Sequence, residues 1–143
     1  MKLISFERAG RAGFGAVVDG GVIDLGAALN GRYADLQALL AADALDQARS
    51  ALQGRKPDFA LDSVELLPVI PNPGKIWCCG LNYGEHVRGT NREITEQPTF
   101  FLRVADSQVG HGQAIVRPQE SQQLDYEAEI AVTEPVIMEV VAG

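Results

Sequence analysis

Short apolar runs separated by glycine-containing turns dominate the first 25 residues of the chain. The runs cover residues 2–7, 14–18 and 22–25, and the turns between them contain Gly10 and Gly20. Runs of strand length bounded by glycine turns are typical of antiparallel hairpins. The pattern therefore predicts a small three-stranded β-meander at the start of the chain.

Apolar residues at helical spacing follow this meander. Leu39 and Leu40 lie three and four residues after Leu36, and further apolar positions continue toward Gly54. Intervals of three and four place side chains on one face of a helix. The pattern predicts either one bent helix or two short helices, with the leucines packed against the meander as core residues.

A cluster of residues that break helices and sheets interrupts the chain near its middle. Three prolines between positions 68 and 73 are followed by Gly74. Proline fixes its backbone φ angle and lacks an amide donor, so such a cluster is typical of a boundary or a linker. We therefore predict two domains, a small N-terminal domain at residues 1–72 and a second domain at residues 73–143.

Beyond this boundary the apolar runs again have the length of strands. They cover residues 75–79 and 99–104, with a shorter run at residues 115–116. Few helical patterns accompany them, so strands outnumber helices in the expected structure. The predicted fold class is α+β and β-dominated, with the meander and its helix followed by an incomplete mixed β-roll.

Acidic and apolar residues alternate along residues 125–130, which predicts a β-strand. Side chains two apart on a strand share a face, so Glu127 and Glu129 would point the same way, about 6–7 Å apart at the backbone. Two such carboxylates can converge on one Mg²⁺ ion, which takes oxygen ligands at about 2.0–2.1 Å. The spacing alone also fits a strand whose acidic face lies in water, so both interpretations stay open at this point.

Overall composition and charge limit the kinds of molecule that the protein is expected to bind. The chain has 143 residues, a formal net charge of −7 and 46% hydrophobic residues, which is typical of a folded globular protein. A negative chain without a basic stripe argues against nucleic-acid binding. No apolar run has the roughly 18–20 residues of a membrane span, and the N-terminus lacks the apolar segment of a signal peptide. We expect no membrane contact and a cytoplasmic protein.

Histidine and cysteine are scarce, with two residues of each type. His86 follows a predicted strand in a polar segment, where catalytic side chains are common, and imidazole suits general acid–base work. An ordinary surface histidine is the alternative. Glu85 is its neighbour, whereas His111 lies between two glycines and is predicted to be a turn residue. The adjacent Cys78 and Cys79 are expected to be small buried thiols, because neighbouring strand residues face opposite ways.

A longer motif joins several of these residues. Residues 75–86 read KIWCCGLNYGEH, residues 98–103 read PTFFLR, and residues 124–129 read LDYEAE. This order resembles the K-I-x-C-x-G-x-N-Y-x-D/E-H signature and the downstream motifs of the fumarylacetoacetate hydrolase family. The resemblance covers about residues 75–132, and residues 1–70 are similar to the smaller N-terminal domain that many members carry.

The resemblance implies a role for each matched residue of the predicted site. Glu127 and Glu129 take the places of the family's two glutamate metal ligands, usually for Mg²⁺ or Mn²⁺ and in some members for Ca²⁺. His86 looks like the family's lid histidine, a general base or water activator, and Glu85 beside it is predicted to be a second catalytic residue. The implied centre is therefore a divalent metal site with an acid–base group close to it.

The same resemblance implies a class of substrate and reaction. Tyr83 and Arg103 are expected to bind the substrate, because family substrates are mostly 2-oxo or 1,3-dicarbonyl acids such as acylpyruvates and fumarylacetoacetate. The implied function is metal-dependent hydrolysis of a C–C bond in such an acid by a homodimer. The alternatives are isomerisation or decarboxylation of the 2-hydroxyhepta-2,4-diene-1,7-dioate type in aromatic catabolism, a catalytically silent fragment, and an unrelated α+β binding module.

Three departures from the family pattern bear on this site. Gly89 replaces the family glutamate that pairs with the lid histidine, which leaves Glu93 or Glu96 as partners for His86. A common family lysine is Arg103 here, and arginine keeps the charge with a different geometry. No residue matches the family's third metal ligand, an aspartate. The chain is therefore expected to be the N-terminal domain plus the first part of the catalytic domain.

Overall fold

The computed structural model describes residues 1–81, 83, 97–126 and 128–133 of the chain. These residues fall into two compact units. The first unit combines Met1–Pro71 with the described residues from Val109 onward, and the second lies between Asn72 and Gln108. The division into domains at residues 1–72 and 73–143 stays a prediction.

A five-stranded antiparallel sheet forms the first unit's framework. Its strands are β1 (Lys2–Arg8), β2 (Arg11–Val18), β3 (Gly21–Asp24), β4 (Phe59–Ala60) and β5 (Glu65–Leu66). They lie side by side in the order β4-β3-β2-β1-β5. The consecutive pairing of β1, β2 and β3 confirms the predicted meander, and the two short strands extend it at both edges.

Both hairpin turns of the meander use left-handed backbone conformations. Ala9 and Gly10 join β1 to β2 with φ angles of 52° and 72°. Asp19 and Gly20 join β2 to β3 with φ angles of 48° and 76°. Two-residue turns with positive φ at both positions match the right-handed twist of the strands that they connect, so they fix the register of the meander.

Three short helices complete the first unit: α1 (Leu25–Ala28), α2 (Leu36–Ala41) and α3 (Leu45–Leu52). The carboxylate of Asp24 accepts a hydrogen bond from the backbone N–H of Ala27 and caps α1. The carboxylate of Asp35 accepts one from Ala38 and caps α2 in the same way. Asp43, with a φ angle of 49°, separates α2 from α3. The leucine-rich region thus forms two short helices, one of the two predicted arrangements.

One apolar core holds these helices against the sheet. It contains Phe14 and Ala16 from β2, Leu25 from α1, and Leu36 and Leu39 from α2. Each of these residues is at most 2% exposed. Burial of a leucine or phenylalanine side chain stabilises a fold by about 1.5–3 kcal/mol. The prediction that the leucine stripe is core packing is confirmed.

The second unit contains an antiparallel pair of strands, β6 (Ile76–Gly80) and β7 (Thr99–Arg103). Trp77 from β6 and Phe100 from β7 form an edge-to-face ring contact with centroids 6.2 Å apart. Every residue of β7 is exposed. Phe100 and Phe101 are neighbours on the strand and face opposite ways. Both faces of the strand pair therefore carry exposed aromatic rings.

The acidic stretch does not form a strand in the part of the chain that the structure describes. Residues 124–126 and 128–133 are exposed and lie outside any strand, and the same holds for residues 115–116. A strand is stabilised by hydrogen bonds to a neighbouring strand, and alternation along one segment does not show that such a neighbour is present. The strand predictions for these residues are wrong.

Strands nevertheless dominate the molecule. Seven β-strands accompany three short α-helices in the described residues. The predicted α+β, β-dominated class is confirmed. None of the described helices has the length and apolar character needed to cross a membrane.

Candidate functional site

The structure describes only part of the predicted site. Tyr83 and Arg103 lie in the second unit, and Glu129 lies in the first. The other residues that the sequence singled out around the site lie outside the described residues: Glu85, His86, Gly89, Glu93, Glu96 and Glu127. The structure therefore describes the surroundings of Tyr83, Arg103 and Glu129, each within its own unit.

Tyr83 lies just beyond the end of β6. Leu81 follows the last strand residue with a φ angle of 58°, so the chain turns sharply before it reaches Tyr83. Tyr83 is 44% exposed. A half-exposed tyrosine can rest its ring on the protein while its hydroxyl group meets a ligand. Its role in substrate binding stays a prediction.

Arg103 ends β7 and lines a cavity of about 290 Å³. Lys75 lines the same cavity, and Ile76 and Leu102 supply apolar parts of its wall. Among the described residues, neither Lys75 nor Arg103 forms an ion pair. A guanidinium group binds a carboxylate through two parallel hydrogen bonds. A guanidinium group beside an apolar wall therefore has the chemistry to bind a small organic acid.

Glu129 is exposed, and Asp125 four residues earlier is exposed as well. The Asp125 carboxylate accepts a 2.8 Å hydrogen bond from the backbone N–H of Tyr126, so one of its oxygens is engaged locally. Carboxylate oxygens are the ligands that Mg²⁺ and Mn²⁺ prefer, so the donor chemistry of this stretch fits a hard divalent ion. Within the described ranges, no three His, Cys, Asp or Glu residues are grouped closely enough to hold a metal ion.

A contact that the sequence did not reveal joins residues 110–113 to β5. Gly110 is buried so close to Leu66 that a Cβ atom would collide with the Leu66 carbonyl oxygen. The Gln113 amide donates a 2.6 Å hydrogen bond to the Glu65 carboxylate, and its oxygen accepts one of 2.6 Å from the Gly110 N–H. We call the contact of Gly110 and Gln113 with Glu65 and Leu66 the 110–113 clasp. The clasp fixes the start of the segment that leads to the acidic stretch.

The second histidine and the cysteines have structural positions. His111 and Gly112 form a turn, as predicted, beside an open cavity of about 570 Å³ whose other wall is formed by residues 61–66. Cys78 and Cys79 are free thiols on β6. They are half-buried, whereas the sequence predicted burial, because both faces of the strand pair that carries them are partly exposed to solvent.

Comparisons with known proteins show that part of the chain is similar to one family. Residues 75–134 match the family model described as the C-terminal part of fumarylacetoacetate (FAA) hydrolase. The mitochondrial oxaloacetate tautomerase fahd2 of Xenopus laevis is 40% identical over 88 residues. The human mitochondrial oxaloacetate tautomerase FAHD2A is 35% identical over 88 residues. Each alignment covers 62% of this chain and 28% of the relative, so the chain spans less than a third of these relatives.

A solved structure supports the same fold. The crystal structure of a protein assigned as HpcE from Mycobacterium smegmatis superimposes with a TM-score of 0.66 and 22% identity, over 83% of this chain and 41% of that one. The fold is β-dominated, and a segment in the second half of the chain is similar to fumarylacetoacetate hydrolase. Residues 75–134 thus match the fumarylacetoacetate hydrolase family model, which confirms the resemblance found in the sequence.

Proposed function

We propose that the protein is a metal-dependent enzyme that acts on 2-oxo acids through their enol forms. The observation that carries this proposal is the match of residues 75–134 to the fumarylacetoacetate hydrolase family. Two relatives are oxaloacetate tautomerases by name, which favours keto–enol tautomerisation of a 2-oxo dicarboxylic acid. Tautomerisation moves one proton between carbon and oxygen, so it requires neither a redox cofactor nor the addition of water.

The metal ion in this proposal is Mg²⁺ or Mn²⁺, with Ca²⁺ as a further possibility. Glu127 and Glu129 would hold it through carboxylate oxygens, which suit all three ions. A bound divalent ion polarises a carbonyl oxygen and so favours the enol form of the substrate. The exposed carboxylate of Glu129 supports this assignment, since no cation of the described residues neutralises it.

Substrate binding is assigned to Arg103 and Tyr83. Arg103 has no ion-pair partner among the described residues and lines the cavity that it shares with Lys75. A dicarboxylic acid needs a cation for the carboxylate that lies away from the metal ion, and a guanidinium group meets this need with two hydrogen bonds. Tyr83 would supply a phenol hydroxyl group as donor or acceptor.

Proton transfer is assigned to His86 with Glu85. Removal of a proton from the carbon beside an oxo group requires a base, and imidazole gains and loses protons near neutral pH. Glu93 and Glu96 are the alternative partners of His86, because Gly89 occupies the family glutamate position. These assignments come from the motif, since the residues lie outside the described part of the chain.

Hydrolysis of a C–C bond is the second candidate reaction. The matched family model takes its description from a hydrolase. In that reaction a base-activated water attacks one carbonyl of a 1,3-dicarbonyl acid, and the electrons of the broken C–C bond form an enolate. The same residues would serve both reactions, because each passes through an enolate beside a carboxylate. An acylpyruvate is the substrate that separates them, since only hydrolysis shortens it.

Two assays test the proposal. Loss of enol oxaloacetate is followed by its ultraviolet absorbance with Mn²⁺ and again with EDTA, and acylpyruvate cleavage is followed under the same conditions. We expect metal-dependent acceleration of oxaloacetate tautomerisation and little acylpyruvate cleavage. The reverse pattern would favour the hydrolase, and no metal-dependent activity toward either substrate would favour the catalytically silent fragment.

Substitution of His86 separates chemistry from metal binding. We predict that His86→Ala abolishes turnover and leaves Mn²⁺ affinity unchanged, because the imidazole acts on the substrate and not on the ion. The matched control is His111→Ala, which alters the turn beside β5 and should retain activity. Loss of metal binding along with turnover in His86→Ala would make His86 a structural residue or a ligand.

Partners and location are also proposals. A small oxo acid is the proposed substrate, with neither nucleic acid nor membrane as a partner, and the working form is proposed to be a homodimer. The two relatives are mitochondrial by name, so a cytoplasmic location stays a prediction from the sequence.

A further inference from the structure

The backbone of Leu81 adopts a left-handed conformation at the point where β6 ends. Its φ angle is 58°. Left-handed conformations are uncommon for residues other than glycine, because the Cβ atom comes too close to the following carbonyl oxygen. A residue held in this conformation therefore needs a reason, and such residues often lie at functional sites.

The other non-glycine residues with positive φ in the described part of the chain have ordinary structural reasons. Ala9 and Asp19 begin the two hairpin turns, which require this conformation. Asn30 and Asp43 lie just beyond the ends of α1 and α2, where short polar side chains tolerate it. Leu81 lies in neither kind of turn, and its side chain is large and apolar.

The position of Leu81 follows from the pairing of β6 with β7. Gly80 is the last residue of β6 and lies opposite Thr99. This pairing keeps Gly80 in the extended strand, so the change of direction occurs one residue later, at Leu81. Gly80 could adopt the left-handed conformation without strain, but Leu81 adopts it instead. The turn therefore lies two residues before Tyr83.

We propose that the left-handed turn at Leu81 positions the ring of Tyr83. Because the two residues are so close in the chain, reversal of the handedness at Leu81 would redirect Tyr83 through a large angle. Leu81 is thus a positioning residue, and Tyr83 is the group that contacts the ligand. The inference rests on the proposed function in one respect, since it takes Tyr83 as a substrate-binding residue.

A role of backbone handedness and a role of side-chain packing predict opposite orders for how harmful two substitutions at Leu81 are. If handedness matters, Leu81→Gly is tolerated because glycine readily adopts positive φ, and Leu81→Val is harmful because a branched Cβ makes this conformation a severe outlier. If only packing mattered, Leu81→Val would be the milder change. Leu3 in the regular strand β1 is the matched control, since a strand position favours valine over glycine.

The first readout observes Tyr83 directly. The chain has three tyrosines, so ¹³C labelling of tyrosine rings gives a small set of NMR signals, and Tyr83→Phe identifies the signal of Tyr83. We expect this signal to keep its wild-type position in Leu81→Gly and to shift in Leu81→Val. In Leu3→Gly and Leu3→Val the signal should stay in place, while stability falls more for the glycine variant.

The second readout is turnover of enol oxaloacetate with Mn²⁺. We expect kcat to fall about tenfold or more in Leu81→Val, because a misplaced binding group lowers rates by such factors. In Leu81→Gly we expect kcat within about twofold of wild type, since glycine retains the turn. Mn²⁺ affinity should be unchanged in both variants, which separates a positioning role from general unfolding.

The two readouts distinguish failure of this inference from failure of the proposed function. A Tyr83 signal that shifts as much in Leu81→Gly as in Leu81→Val overturns the positioning role, whether or not turnover is seen. The expected order of shifts with equal turnover in both variants overturns the link to substrate binding. The expected order of shifts in a protein without any turnover overturns the proposed function and supports the positioning of Tyr83.

Discussion

At the scale of single residues, the proposed site contains charges that folding leaves exposed. Glu129 and Arg103 carry opposite charges, and both are exposed within their own units. Exposed charges contribute little to stability, typically about 0–1 kcal/mol even when they form an ion pair. A change at either residue therefore tests function with little risk of unfolding.

Metal binding is the property that Glu129 should control. We predict that Glu129→Gln weakens Mn²⁺ binding at least about tenfold, because an amide oxygen retains the shape of a ligand and loses the charge that a hard ion requires. The measurement is calorimetric titration of the protein with Mn²⁺. Glu120→Gln is the matched control, since Glu120 is also exposed and precedes the acidic stretch. Equal affinities for the two variants would reject Glu129 as a ligand.

Residue identities are easier to predict than residue conformations in this chain. The motif that contains Tyr83 and Arg103 is enough to indicate the family from the amino-acid sequence alone. The left-handed turn at Leu81 has no such signal, because a leucine gives no hint of positive φ and the adjacent Gly80 is the residue that a turn would be expected to use. The turn lies just beyond the last residue pair of β6 and β7, and the local sequence does not encode that pairing.

At the scale of elements, the short helix α2 of the first unit begins with a side-chain cap, whereas α3 has none. The helices α2 and α3 have six and eight residues, which is too short to be stable without capping or packing. The Asp35 carboxylate accepts a 2.7 Å hydrogen bond from the N–H of Ala38 at the start of α2. A single side chain thus satisfies a backbone donor that the helix itself leaves without a partner.

Loss of this cap should have a measurable effect. We predict that Asp35→Ala lowers the free energy of unfolding by about 1 kcal/mol. Asp46→Ala is the control, because its exposed ion pair with Arg49 should contribute at most about 0.5 kcal/mol. Urea denaturation followed by circular dichroism measures both. A smaller loss for Asp35→Ala than for Asp46→Ala would show that the cap does not hold α2.

The 110–113 clasp gives a second prediction at this scale. A Cβ at position 110 would collide with the backbone of Leu66, so Gly110→Ala should destabilise the first unit by about 1–3 kcal/mol. Gly74→Ala is the matched control, since no atom lies within 4 Å of a Cβ there. Hydrogen exchange at β5 should rise in the first variant only. Unchanged exchange would mean that the clasp opens at little cost.

Elements with their own hydrophobic face were predictable, and elements that need a distant neighbour were not. The meander and the leucine helices bury residues against each other over short separations, so periodicity alone revealed them. The alternation at residues 125–130 indicated a strand that the described residues do not form, because a strand also needs a partner. The clasp joins residues 48 positions apart and had no local signal at all.

At the scale of the whole molecule, the second unit exposes apolar rings on both faces of its strand pair. Phe101 is 48% exposed and Trp77 is 43% exposed. A two-stranded pair is marginally stable in water, and a contiguous apolar patch is typical of an interaction surface. Among the residues that the structure describes, no further strand pairs with β6 or β7, and these edges and rings support the proposed homodimer.

Light scattering after size-exclusion chromatography tests the homodimer. We predict a mass of twice 15.3 kDa for the wild-type chain. Phe101→Glu should shift the mass toward the monomer, because a charge would be removed from water at the interface. Val69→Glu, at an exposed position of the first unit, should leave the dimer intact. A monomeric wild type at micromolar concentration would exclude the homodimer.

The hydrogen bond between Gln113 and Glu65 has a practical consequence for anyone who divides this chain. A cut at the proline cluster gives an N-terminal fragment in which the edge strand β5 has lost its contact with residues 110–113. Such a piece should fold less stably alone, and a synthetic peptide spanning positions 109–118 should bind to it and restore that stability. Gene dissection guided only by proline content would separate two parts of one folding unit.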